Sequence, residues 1–96
     1  MNKYELCVVV SAKLEDDARA ELVDRVKELI TRFEGTVTDV DDWGKKRLAY
    51  EIEKMHEAYY YFIHFESEPG TPAQIEGRLR IMDGVLRYLC VRQDEA

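Results

Sequence analysis

Cys7, Cys90, His56 and His64 are the only cysteines and histidines in the chain, and they are the side chains that could bind zinc or pair as nucleophile and base. Their spacing serves neither chemistry. Zinc ligands come in short steps of about two to four residues, whereas these four are scattered, so no metal is expected. No serine or cysteine sits at a recognisable nucleophile elbow beside His56 or His64. No glycine-rich phosphate loop is present either. MNKYELCVVVSAKLEDD lacks the long apolar core of an export signal, so the thiols read as reduced and packed like small hydrophobes. The expectation is a protein with no catalysis, cofactor or small-molecule substrate, in the cytoplasm.

Charge is more informative. WGKKRLAYEI (43–52) places Lys45, Lys46 and Arg47 in a row, in a chain of net charge -6. A nonspecific nucleic-acid coat needs a surplus of cations, so any RNA contact must be local. Read in isolation, three cations on a strand are most often a solvated edge that deters strand addition. Arg78, Arg80, Arg87 and Arg92 favour another use: residues 76–92 hold these four arginines against Glu76 and Asp83, while residues 13–34 hold five cations against seven acids. Charge is sorted by region, as a local RNA-facing edge requires.

The elements that must carry these residues follow from hydrophobic period. KYELCVVV (3–10) alternates as a strand with both faces apolar. From Glu15 to Glu34, the residues Ala18, Leu22, Val26, Leu29, Ile30 and Phe33 make a helical stripe, with acids in the first turn and Gly35 as the stop. TVTDVDDWGKKRLAYEI reads as extended, bent near Asp41 to Gly44. EKMHE (53–57) breaks the pattern, and AYYYFIHFE (58–66) resumes it as the second arm of a hairpin. Thr71, Pro72 and Gln74 predict a capping box opening a second helix that ends at Asp83-Gly84, with Gly77 tolerated inside it. VLRYLCVR (85–92) is the last strand. No run approaches the ~20 apolar residues of a membrane span.

Strand, helix, strand, strand, helix, strand in a single 1–96 domain is the α+β, ferredoxin-like split βαβ order, a four-stranded antiparallel sheet. Right-handed crossovers put both helices on one face. If they cover Leu6, Val8, Val10, Tyr61, Ile63, Phe65, Tyr88 and Cys90, then Cys7, Val9, Tyr60, Phe62, His64, Leu89 and Val91 lie on the uncovered face. Cys7 and Cys90 then point to opposite sides and cannot form a disulfide. An apolar reverse face suggests a partner surface. Base stacking on it, as in an RNA-recognition motif, is disfavoured: Tyr60, Phe62 and Phe65 are suitably placed, but Ala58, Tyr59 and Tyr61 replace that signature's basic residue and glycines. An acylphosphatase-like site would need an asparagine, and the only one is Asn2.

GKKRLAYEI (44–52) resembles the signature of the bacterial small-subunit ribosomal protein S-six family, and the agreement extends to Y-E-L from Tyr4, EAYYYFIHFE, and L-R-I-x-D-G-V-L-R from Leu79 to Arg87. Glu53 departs from the family's basic or small residue, and Trp43, Asp39, Asp41 and Asp42 read as lineage-specific. The resemblance implies a noncatalytic, ribosome-associated protein that binds the central domain of small-subunit ribosomal RNA together with ribosomal protein S-eighteen. Lys3, Lys45, Lys46, Arg47, Arg80, Arg87 and Arg92 are the expected RNA contacts; Trp43, Tyr60, Phe62, Leu89 and Val91 are the expected partner contacts. Leu48 is expected to anchor the basic strand to the core. The alternative is a homodimeric ferredoxin-like sensing or interaction domain that uses its bare sheet for self-association.

Overall fold

The computed structural model describes residues 2–52 and 54–93; Glu53 and the tail residues 94–96 lie outside them. The elements run β1 (Asn2–Ser11), α1 (Asp16–Arg32), β2 (Thr36–Ile52), β3 (Met55–Ser67), α2 (Thr71–Leu79) and β4 (Val85–Arg92). Every strand pair is antiparallel, in the order β2-β3-β1-β4, so β1 is central and flanked by β3 and β4. This is the expected ferredoxin-like arrangement.

Alternation builds the core. Tyr4, Leu6, Val8 and Val10 of β1 and Tyr61, Ile63 and Phe65 of β3 are buried with Leu22, Val23, Val26 and Ile30 of α1 and Ile75 and Leu79 of α2. Val23, absent from the predicted stripe, is buried, whereas Ala18 is exposed and Leu29 half-buried. The helix is thus rotated slightly toward the Val23 side. The register sets Leu6 opposite Cys90 and Cys7 opposite Leu89. Both thiols are free, and side chains on adjacent residues of a strand face opposite ways, so the two lie on different faces.

Arg19 fastens α1 to β3, a role its sequence position did not disclose. Its guanidinium lies 3.6 Å from the Tyr59 ring centroid, its Nε donates to the Tyr61 hydroxyl at 3.0 Å, and Asp16 accepts from its Nη2 at 2.8 Å. The cation thereby covers aromatic surface while its charge stays partnered.

Both helix boundaries depart from expectation in instructive ways. At the end of α1 the Glu34 N–H donates to the Thr31 carbonyl and the Gly35 N–H to the Ile30 carbonyl, a Schellman motif. The left-handed residue is Glu34, with φ 67°, not the glycine. Gly35 is needed for space: a Cβ there would lie 2.8 Å from Ile30 Cγ2 and 3.0 Å from the Ile30 carbonyl oxygen. The predicted capping box at Thr71 does not form. Gly70 is the N-cap, with no side-chain cap, and the buried Thr71 hydroxyl instead donates to the Phe33 carbonyl at 3.0 Å. Thr71 is already the first residue of the helix, one position past the cap, and its bond to a carbonyl freed at the end of α1 ties the two helix ends together. The second helix stops at Leu79, before the expected Asp83-Gly84, which forms a turn with Gly84 at φ 93°. A Cβ at Gly77 would meet nothing within 4 Å, so the glycine is simply tolerated.

The hairpin is longer than its pattern suggested. Residues 55–57, expected in the break, open β3, and Ile52 pairs with Met55. Met55 is buried, and the Ser11 hydroxyl at the end of β1 donates to its sulfur at 3.3 Å.

Gly35→Ala should destabilise the fold by about 1–3 kcal/mol, because fully buried Ile30 cannot yield. The urea midpoint falls with little change in slope if this is right; an unchanged midpoint would show that the turn relaxes freely. Burial, reinforced by Glu76, pushes the Cys90 thiol up to about 11. Alkylation of Cys90 near pH 8 should therefore be at least about a hundredfold slower in native than in urea-unfolded protein. Equal rates would contradict this shielding.

Candidate functional site

The face turned away from the helices has three zones along the strands. At one end Glu5 and His64 sit opposite each other. Their side chains approach to 3.6 Å, and His64 Nδ1 lies 3.1 Å from Gln93 Oε1. This end is polar. Cys7 is a diagonal neighbour of His64 on the same face, yet burial and the charge of Glu5 push its thiol pKa up, the reverse of what a nucleophile needs. His56 stands apart at the hairpin end, 3.6 Å from Glu51. Among the described residues no group of three or more His, Cys, Asp or Glu could hold a metal ion.

The middle zone is apolar and open. Trp43, Leu89 and Val91 are 52%, 62% and 45% exposed, with Cys7, Tyr60 and Phe62 half-buried between them. Trp43 owes its position to a backbone irregularity. Asp42 pairs with Tyr61 and Gly44 with Tyr60, so Trp43 is the extra residue of a β-bulge. Gly44 takes φ 73°, a left-handed conformation that glycine adopts without penalty. The Asp42 carboxylate accepts the Gly44 N–H at 2.8 Å, and the Trp43 indole N–H donates to Asp41 at 3.0 Å. The indole is thereby set against Phe62, ring centroids 4.6 Å apart at 51°. The sequence showed the bend at Asp41 to Gly44, but not that its product is an aromatic pair on the open face.

The third zone corrects an expectation. Val9, assigned to the uncovered face, is only 5% exposed, and Ala58 in the same zone is fully buried. The far half of the β2–β3 hairpin curls over this end. The Arg87 guanidinium of β4 lies 5.0 Å from the centroid of the Tyr50 ring of β2, although these strands are three strand spacings apart in the sheet, roughly 14 Å if it were flat. Leu48, the expected anchor, is half-buried and outside the core cluster; Tyr50 makes the crossing contact instead. Cys7, Val9, Tyr60, Arg87, Tyr88 and Leu89 line the hollow beside it.

The seven candidate RNA-contacting cations do not form one patch. Lys45, Lys46 and Arg47 are exposed on β2, at one edge of the sheet, opposite Tyr59, Ala58 and Glu57. Arg87 and Arg92 lie on β4, at the other edge. Strand alternation also divides the two arginines: Arg87 shares its face with Leu89 and Val91, while Arg92, opposite Tyr4, faces the helix side. Arg92 bonds to Asn2 at 3.3 Å. Lys3 is exposed opposite Glu66 at the polar end of the open face. Arg80 is exposed immediately after α2. The expected single edge of cations is thus divided between two edges of the sheet, with Arg87 of β4 near Tyr50 of the basic hairpin.

The comparisons agree with this geometry. The family model described as ribosomal protein S6 matches residues 3–92. The small ribosomal subunit protein bS6 of Caldanaerobacter subterraneus subsp. tengcongensis is 43% identical over 95 residues, covering 99% of this chain and 100% of the relative. That of Moorella thermoacetica is 42% identical, covering 99% and 97%. The crystal structure of ribosomal protein S6 from Thermotoga maritima superposes with a TM-score of 0.91 at 28% identity, over 96% of this chain and 87% of the other. The C-terminal domain of MgtC from Mycobacterium tuberculosis, at 14% identity and a TM-score of 0.59, shares the fold alone. With sequence likeness and backbone geometry agreeing over nearly its whole length, the chain belongs to the ribosomal protein S6 family, which is structural and not enzymatic.

Proposed function

We propose that this protein is a noncatalytic component of the bacterial small ribosomal subunit, in the cytoplasm, holding the central domain of the ribosomal RNA jointly with ribosomal protein S-eighteen. The relatives' own description as small ribosomal subunit proteins supports the ribosomal role. The observation that carries the rest is the open apolar zone of Trp43, Phe62, Leu89 and Val91 beside a cationic hairpin. Covering a large apolar side chain contributes roughly 1.5–3 kcal/mol when burial is complete, so this zone suits a folded protein surface. RNA would add only charge contacts, on Lys46 and Arg87 of this face and on Lys45 and Arg47, which alternate to the other face of β2. The carboxylates of α1 lie on the far side and stay clear of phosphate. Among the described residues no helix is long and apolar enough to cross a membrane.

Chemical footprinting of small-subunit RNA, with and without S-eighteen, tests this reading. Protection should appear only with both proteins, and Arg87→Ala/Arg92→Ala together should reduce it while the melting temperature changes little. Tight, selective binding of RNA by the isolated protein would contradict joint recognition. Trp43→Ala should weaken the complex with S-eighteen at least about tenfold in calorimetric titration, because an aromatic at the centre of a contact carries much of its energy. An unchanged affinity would remove Trp43 from the interface, and a stable dimer indifferent to S-eighteen in light scattering would favour self-association instead.

A further inference from the structure

The two edges of the sheet are unlike. β2 has register breaks between Val37 and Asp39, Asp42 and Gly44, and Arg47 and Ile52, and it carries Lys45, Lys46 and Arg47 in succession. Breaks and cations are the usual means of preventing another strand from adding to an edge. β4 has neither. Its VLRYLCVR contains no proline, glycine or lysine, it stays in register with β1 from Arg87 to Arg92, and it exposes Leu89 and Val91 at 62% and 45%.

The phase of the β1–β4 ladder tells which backbone groups face outward. The Gln93 N–H donates to the Lys3 carbonyl at 2.8 Å. In an antiparallel pair, opposed residues alternate between bonded and non-bonded. Counting back from that bond along the register, Val91, Leu89 and Arg87 bond to β1, and the N–H and C=O groups of Tyr88 and Cys90 point away from it. Among the described residues no turn, loop or cap bond reaches Tyr88 or Cys90. Their side chains pack against the core, which holds this stretch of backbone extended.

We propose that the outer edge of β4 receives an extended segment of a partner polypeptide as an added strand, hydrogen-bonded to Tyr88 and Cys90. Such a segment is apolar where it passes Leu89 and Val91 and carries no cation beside Arg87 and Arg92, since β4 bears two arginines and no acid. The occupant is a protein neighbour within the ribosomal subunit, so this inference rests on the ribosomal reading. A bare RNA strand would leave Leu89 and Val91 in water and supply no alternating backbone partner.

Amide hydrogen exchange decides it, measured on the protein free and after incorporation into its small ribosomal subunit. The amides of Tyr88 and Cys90 should slow at least about tenfold on incorporation, while those of Leu89 and Val91, bonded to β1 in both states, change little. A photoreactive residue substituted for Leu89 should crosslink to a polypeptide other than this chain. Exchange at Tyr88 and Cys90 as fast in the particle as in the free protein overturns the proposal and leaves the ribosomal reading standing, as do crosslinks confined to RNA or to a second copy. A protein that fails to enter the particle overturns both.

Discussion

Two helices on one side of a four-stranded sheet leave the other side to be dealt with, and most of this molecule is a response to that constraint. Right-handed crossovers, the rule for such connections, put both helices on one face, and the core joins α1 and α2 to a single row of strand residues. The covered side is closed by Leu6, Val10, Ile30 and Ile63, all fully buried. β1 cannot be polar on its reverse without losing Cys7 and Val9, and the reverse is treated differently from end to end: a polar contact of Glu5 with His64, exposure at Leu89 and Val91, and a covering hairpin over Val9.

The hairpin achieves this through its irregularities. A regular β2 would continue flat beside β3 and leave Val9 and Ala58 in water. The bulge at Trp43 adds twist, the left-handed Gly44 turns the strand, and the later break beyond Arg47 lets Tyr50 reach Arg87. The same bulge sets the indole of Trp43 on Phe62. One backbone device thus closes one end of the face and furnishes its middle with its largest exposed aromatic.

Charge follows the same division of space. The acids of α1 are balanced locally, Arg25 with Glu21 and Lys27 with Asp24, on a solvated surface, where such pairs add little stability. On β2 the acids Asp39, Asp41, Asp42 and Glu51 flank the run Lys45, Lys46 and Arg47 and do not interrupt it, and β4 carries two arginines and no acid. A net charge of -6 is therefore compatible with phosphate contact, because the field near a bound strand is set within about a Debye length, roughly 8 Å in physiological salt.

The sequence by itself determined the order of elements, the identity of the core rows and the separation of the two thiols, because these depend on periods of 2 and 3.6 and on local stop signals that neighbouring residues supply. It also made the family legible, since GKKRLAYEI and its companions are contiguous strings. Tertiary structure alone decided what depends on residues far apart in the chain. Thr71 left its predicted cap for the Phe33 carbonyl. Arg19 found two tyrosines. Val9 was covered by a hairpin whose curl arises from accumulated twist, and the expected single basic edge was split between β2 and β4 because strand order, not chain order, sets who neighbours whom. Hydrophobic period tells a side chain which face to take; which other side chains share that face, and what lies over it, is fixed only when long-range pairs close.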